Sequence, residues 1–237
     1  MTKLKYKRVL LKLSGEVLKG DHESGIDGDV INSLAADIKE LQDLGCQVGI
    51  VIGGGNIWRF RDFKHLKLGR ITSDTMGMLA TVMNVLALES VLKELDATVL
   101  AVSAFPCDRA LESYVPKRAK YQLSKGKIVL FAGGTGSPYF TTDSAAALRA
   151  LEMECEVLLK ATKVDFVYDK DPMEHKDAIK FTEMKYEDVI EQKLGVMDLT
   201  CASLCDQGNI PMLVFNLNAK DSMKKAVTGE KIGTIIT

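Results

Sequence analysis

Short apolar runs that each end on a glycine turn constrain this chain more than any other feature. Three turns follow strand-like segments: Lys12-Leu13-Ser14-Gly15-Glu16, Gly53-Gly54-Gly55-Asn56 and Gly133-Gly134-Thr135-Gly136. The runs predict strands at Val9–Leu13, Val48–Ile52, Val99–Val102, Ile128–Ala132, Val157–Lys160 and Met212–Phe215, with a final edge strand at Thr234–Ile236. Between them, helical spacing of apolar residues predicts helices over Val30–Leu44, Asp74–Leu95, Asp143–Leu151, Tyr186–Lys193, Asp198–Gln207 and Asp221–Val227. In the second of these, Met76, Leu79, Ala80, Met83, Ala87 and Val91 fall on one side, the expected core face. Lys163–Lys180 reads as polar and turn-rich. Strands alternating with helices predict right-handed crossovers and a mostly parallel sheet covered on both faces. The expected fold is α/β, a three-layer α/β/α sandwich, with residues 1–237 as one domain.

In such sheets ligands sit at the carboxyl ends of strands, where all three turns fall. Glycine lets backbone N–H groups approach an anion closely. Three turns together suggest a site for several phosphates, hence phosphoryl transfer. Lys12 can reach phosphate oxygens as a point charge, although a lysine ending a half-exposed strand also fits. Gly53-Gly54-Gly55 is too costly for strand or helix, so it is a tight turn or a phosphate nest. Arg59 follows closely enough to neutralise a transferring phosphoryl group. The segment from Thr135 to Ser144 packs hydroxyls, glycines and aromatics together. Thr142 or Asp143 is expected to cap the following helix, and the rest suits a small polar acceptor.

Other chemistries are disfavoured. There is no G-x-x-x-x-G-K-[ST], no G-x-G-x-x-G after the first strand, and no H-R-D or D-F-G set. A net charge of -1 gives no field for nucleic acid. No stretch reads as long and apolar enough to cross a membrane, and Met1–Arg8 lacks an apolar signal core, so a cytosolic protein is expected. Five scattered cysteines argue against a disulfide framework. Cys201 and Cys205 lack a second Cys/His pair and read as core, so no metal ligands are assigned.

The blocks Leu10–Glu16, Val51–Asn56, Asp74–Asn84, Gly134–Ala146, Leu159–Asp165, Val196–Asp198 and Gly229–Thr234 resemble the bacterial uridylate kinases of the amino-acid-kinase family. The resemblance runs from about Tyr6 to Thr237. It implies phosphorylation of UMP to UDP by ATP in pyrimidine nucleotide synthesis, with Mg2+ carried mainly by nucleotide phosphates. It also implies a homohexamer and feedback by UTP. By motif matching, Lys12, Leu13, Ser14, Gly15, Gly55 and Arg59 contact ATP phosphates or the transferring group. Thr162, Tyr168 and Asp171 hold the adenosine end. Gly54, Asp74, Thr135, Gly136, Ser137, Pro138, Tyr139, Phe140, Thr141 and Thr142 hold UMP, with Asp74 on the ribose hydroxyls. Asp143 and Asp198 orient the catalytic basic groups.

The chain departs from the pattern in places. Phe60 and Arg61 stand where relatives usually carry a glycine after the arginine. Phe166 stands where the ATP-side turn usually has glycine, which is awkward if that turn needs φ > 0. Gly20–Gly25 lacks the glycine-aromatic ending associated with a GTP response. Alternative readings are a small-acid kinase of the same fold, a nucleotide-binding protein without turnover, and a UTP-responsive regulatory subunit. Asp74 and the hydroxyl-rich loop argue against the first, and Lys12 with Arg59 against the second.

Overall fold

A computed structural model describes residues 3–59, 66–170, 174–175, 177–191 and 194–237. Phe60, Arg61 and Asp171, singled out above, lie outside the described residues. The strands are β1 (Arg8–Leu13), β2 (Gln47–Ile52), β3 (Val99–Ser103), β4 (Glu112–Ser113), β5 (Ile128–Ala132), β6 (Val157–Thr162), β7 (Val167–Tyr168), β8 (Lys180–Phe181), β9 (Glu183–Met184), β10 (Met212–Asn216) and β11 (Thr234–Ile236). The helices are α1 (Gly28–Asp43), α2 (Arg70–Glu94), α3 (Pro116–Ser124), α4 (Thr142–Glu152), α5 (Tyr186–Glu191), α6 (Leu199–Gln207) and α7 (Ser222–Thr228).

Among the described residues, nine strands form one sheet in the order β4-β3-β5-β2-β1-β6-β10-β11-β9. Every pairing is parallel except β10 with β11. Thr234–Ile236 is therefore not the edge: β9 pairs outside it, supplied by the segment ahead of α5. β7 and β8 form a separate antiparallel pair inside the region read as loop. These two-residue strands are too short to show a period of two.

Strand alternation divides the core into two layers. Val9, Leu11 and Leu13 of β1 face α1, α2 and α7. Leu10 faces the opposite layer, built on α3, α4, α5 and α6. This is the expected α/β/α sandwich. α4 buries Ala145, Ala146, Ala147 and Ala150, small side chains that let the helix lie close to the central strands.

α2 departs most from expectation. It begins at Arg70, after Gly69, four residues before Asp74. Its buried face carries Ser73, Ala80, Thr81, Val82, Asn84, Val85, Leu88 and Leu92, whereas Leu79 and Met83 are exposed. Apolar residues all around the helix obscure its inward face in the sequence. By length and composition α2 could also cross a bilayer, contrary to the sequence expectation. Val82, Val85, Leu88 and Leu92 instead pack in the core against the sheet.

Candidate active site

The first two glycine turns meet backbone to backbone beyond β1 and β2. The Gly53 N–H donates to the Leu13 carbonyl at 3.0 Å. A Cβ on Gly15 would stand 2.3 Å from the Gly53 carbonyl oxygen, so no larger residue fits there. α2 crosses the second turn closely, and a Cβ on Gly54 would lie 2.7 Å from the Gly77 carbonyl. A fully buried amide pair locks this crossing. Asn84 Nδ2 donates to Asn56 Oδ1 and to the Gly53 carbonyl, both at 2.8 Å, and Asn56 Nδ2 donates to the Gly25 carbonyl at 2.8 Å. Asn84 is a polar residue on an apolar helix, and the face that helical spacing suggests for the core does not include it.

At the carboxyl ends of β1 and β6, the parallel register places Lys12 beside Lys160. Asp143, in the first turn of α4, serves both. Its Oδ1 lies 2.8 Å from Lys12 Nζ, and its Oδ2 accepts a short hydrogen bond from Lys160 Nζ. Burial alone would raise the Asp143 pKa, but the two ammonium groups outweigh it and hold the carboxyl below the usual carboxylate range. Burial and the neighbouring Lys12 lower the Lys160 pKa, with Asp143 opposing them. Asp143 thus pairs with two basic groups at once. Lys160 was missed, although it ends an apolar strand just as Lys12 does.

A cleft of about 580 Å3 opens beside this triad. Gly54, Asp74, Thr135, Ser137, Phe140, Thr141 and Thr142, which motif matching assigns to UMP, line it together with Gly55 and Arg59, which it assigns to ATP. Trp58, Arg70, Ser73, Met78 and Thr81 line it too and were missed. Most of these sit on α2, whose first turn the sequence reading left out. Asp74 is already engaged: Arg70 Nε donates to both carboxylate oxygens at 2.8 and 2.9 Å, and the Tyr139 N–H donates at 2.8 Å. Gly136, Pro138 and Tyr139 are not among the lining residues. Gly136 backs onto Ala104, and the Tyr139 side chain is exposed on a backbone with φ of 72°.

One further expectation is corrected, and two other residues, Asp198 and Arg59, make contacts that the sequence reading did not include. Thr141, not Thr142 or Asp143, caps α4, accepting from the Asp143 and Ser144 N–H groups at 3.1 and 3.2 Å. That leaves Asp143 free for the lysines. Asp198 touches no basic group among the described contacts. It caps α6 and accepts from the hydroxyls of Thr141 and Ser144, tying α6 to the start of α4. Arg59 forms an ion pair with Glu16, bridging the first two turns over Gly55.

On the other side, Thr162 Oγ1 donates to the carbonyls of Val164 and Phe215 at 2.8 and 3.2 Å, closing the end of β6. Tyr168 lies on β7. Phe166 avoids the left-handed region, and Lys180 Nζ sits 4.7 Å from its ring centroid, so the anticipated strain is absent there. Among the described residues no three His, Cys, Asp or Glu side chains gather to hold a metal ion.

Strand-end glycine turns, a lysine pair on one carboxylate and an adjoining polar cleft define a site for phosphoryl transfer. The chain belongs to the amino acid kinase family, whose model matches residues 7–216, and it is a phosphotransferase. Within that family it is similar to the UMP kinase from Bacillus anthracis, at 36% identity and a TM-score of 0.95, over 98% of this chain and 96% of that one. The UMP kinase from Ureaplasma parvum matches at 37% identity and a TM-score of 0.93, over 99% and 100% of the two chains. The uridylate kinase from Archaeoglobus fulgidus matches at 28% identity and a TM-score of 0.75, over 97% and 99%.

Proposed function

We propose that this protein transfers the γ-phosphoryl group of ATP to UMP, giving UDP and ADP, in pyrimidine nucleotide synthesis in the cytosol. The observation that carries this reading is the Lys12–Asp143–Lys160 triad, joined through Thr142, the neighbour of Asp143, to the wall of a cleft that also holds Asp74. An ionised oxygen of the UMP phosphate attacks the γ-phosphorus, and the bond to the β-bridging oxygen breaks to release ADP. That nucleophile needs no protein base. The chain's task is to align the two nucleotides and stabilise charge on the transferring group. Lys12 and Lys160 supply the positive charge, and Asp143 keeps two adjacent cations at a fixed separation.

Asp74 holds the ribose hydroxyls, with Arg70 turning away from it as the acceptor enters. Arg59 exchanges Glu16 for a phosphate oxygen, and the turn at Ser14 and Gly15 offers its amides to ATP. Thr162, Tyr168 and Asp171 form the adenosine side. Magnesium arrives on the ATP phosphates, which with water supply most of its oxygen ligands. The chain assembles as a homohexamer, for which the exposed Ile71, Leu79 and Met83 of α2 offer an apolar contact face, and UTP competes at the acceptor side.

A coupled ADP-release assay with ATP and magnesium tests this, comparing UMP, CMP, dUMP and N-acetylglutamate. Turnover with UMP alone is the expected result. Turnover with the amino acid instead would move the chain to the small-acid kinases. No turnover from folded, nucleotide-binding protein would leave a binding function. Light scattering reads the assembly, and a monomer would remove the hexamer.

A further inference from the structure

Arg149 is a charged side chain at a position the core could fill with an apolar one. It lies on α4 among buried alanines and is 3% exposed. Burying a guanidinium is unfavourable unless its donors are met, and here three partners surround it. Nη1 pairs with Glu152 Oε2 at 2.5 Å, Nη2 donates to the Gly134 carbonyl at 3.2 Å, and the guanidinium carbon stands 4.1 Å from the Tyr114 ring centroid. Tyr114 is fixed in turn: its hydroxyl donates to the same Glu152 oxygen at 2.6 Å, and its ring meets Phe131 of β5 edge-on at 5.5 Å.

The contact that matters is the one to Gly134. That residue lines the cleft with φ of 59°. The preceding Gly133 N–H donates to Thr81 Oγ1 on α2 at 2.8 Å. The third glycine turn is therefore gripped from two sides, by Thr81 from α2 and by Arg149 from α4. α4 also carries Asp143 in its first turn. One helix thus fixes both the acceptor turn and the counter-charge of the two lysines.

We propose that Arg149 is a positioning residue: it sets the height of the Gly134-Thr135 turn in the cleft, and so the register of the acceptor phosphate against Lys12 and Lys160. The second half of this rests on the acceptor reading above. The task requires the rigid, planar fork of arginine, which bonds a carboxylate and a carbonyl together; a lysine keeps the charge without the fork.

The test is Arg149→Lys in the full chain, with three readouts. Steady-state kinetics are expected to show the KM for UMP raised about tenfold and the KM for ATP within about twofold of wild type. UMP binding without ATP, followed by emission of Trp58, the only tryptophan and a lining residue of the cleft, is expected to weaken by the same factor. Amide exchange across Gly133–Ser137 is expected to quicken at least about tenfold. Equal changes for UMP and ATP, or unchanged exchange at the turn, overturn the proposal. If wild type fails to use UMP, the acceptor reading falls, while exchange at the turn still decides what Arg149 holds. Should Arg149→Lys not fold, Tyr114→Phe removes one tie to Glu152 and leaves the guanidinium in place. A smaller rise confined to the UMP side supports the proposal, and no rise overturns it.

Discussion

From Gly133 to Thr142 the chain is gripped by side chains from three separate elements. Thr81 of α2 holds Gly133, Arg149 of α4 holds Gly134, and Asp198 at the start of α6 holds the capping Thr141. Between Lys163 and Lys180, among the described residues, the ties run to β11, to β10 and within the segment itself. The Val167 N–H reaches Thr234 Oγ1 at 2.8 Å, Asn216 Nδ2 reaches Asp165 at 2.8 Å, and Lys170 pairs with Asp177 at 2.6 Å across exposed side chains. The first region can fix a phosphate to within the tolerance that in-line transfer demands. On the function proposed above, the second holds a base and sugar, whose exact height matters less. On that reading, substitutions in the two regions should differ in kind.

The largest effect is expected at Asp143. Asp143→Asn leaves Lys12 and Lys160 facing each other, mostly buried, without a counter-charge. Turnover should fall by about 10^3-fold, with UMP binding changed by less than about threefold. Breaking a buried pair also costs about 3 kcal/mol, visible in urea unfolding at neutral pH. The pH dependence has a definite sign. The Asp143 pKa is depressed by the fold, so its contribution is fully present above the ordinary carboxylate range, near about 4, and is lost as pH falls through the lower folded value. Wild type should therefore lose this contribution only in strong acid, and the variant should lack that acid limb. Turnover retained in Asp143→Asn would place the reacting phosphate elsewhere.

Asp74 comes next, because on the proposed function it marks the acceptor side without touching the transferring group. Asp74→Asn keeps the shape but weakens a carboxylate that accepts from Arg70 and from the Tyr139 amide. The KM for UMP should rise about tenfold and that for ATP by less than about twofold. If both rise together, Asp74 is structural glue and the division between the two regions fails.

The sheet, its layers and most of the cleft wall were legible in the sequence, because glycine at a strand end and an apolar run each have one cheap explanation. Lys12, Asp143 and the hydroxyl-rich loop stood out for that reason. Lys160 did not, although it follows an apolar run, because its pairing with Lys12 exists only through the β1–β6 register. Arg70 was hidden because α2 starts after Gly69 with no side-chain cap, and Asp74 mimicked a start. Trp58 and Thr81 reach the cleft only through the close crossing of α2 over Gly54. Nothing in the spacing marks Arg149, in the last turn of α4, as buried; only the fold shows it so. What the sequence hides is distance between segments, and the missed residues act through such contacts.

The smallest effect is expected at Phe166, and it sharpens the comparison from the donor side. A glycine is expected there from relatives, yet the backbone does not enter the region only glycine favours. Phe166→Gly therefore relieves no strain. It adds backbone freedom in the unfolded chain, worth about 0.5–1 kcal/mol against folding, and removes the ring beneath Lys180, worth about 0.5 kcal/mol at an exposed site. The KM for ATP should move by no more than about twofold, because β7 and β8 keep their pairing and Thr162 keeps its bonds at the end of β6. Unfolding midpoints and ATP kinetics of the purified variant measure both quantities. A tenfold fall in the KM for ATP would mean that Phe166 obstructs the donor pocket. The donor side would then be as sensitive to the placement of one residue as the acceptor side, and the contrast between the two regions would fail.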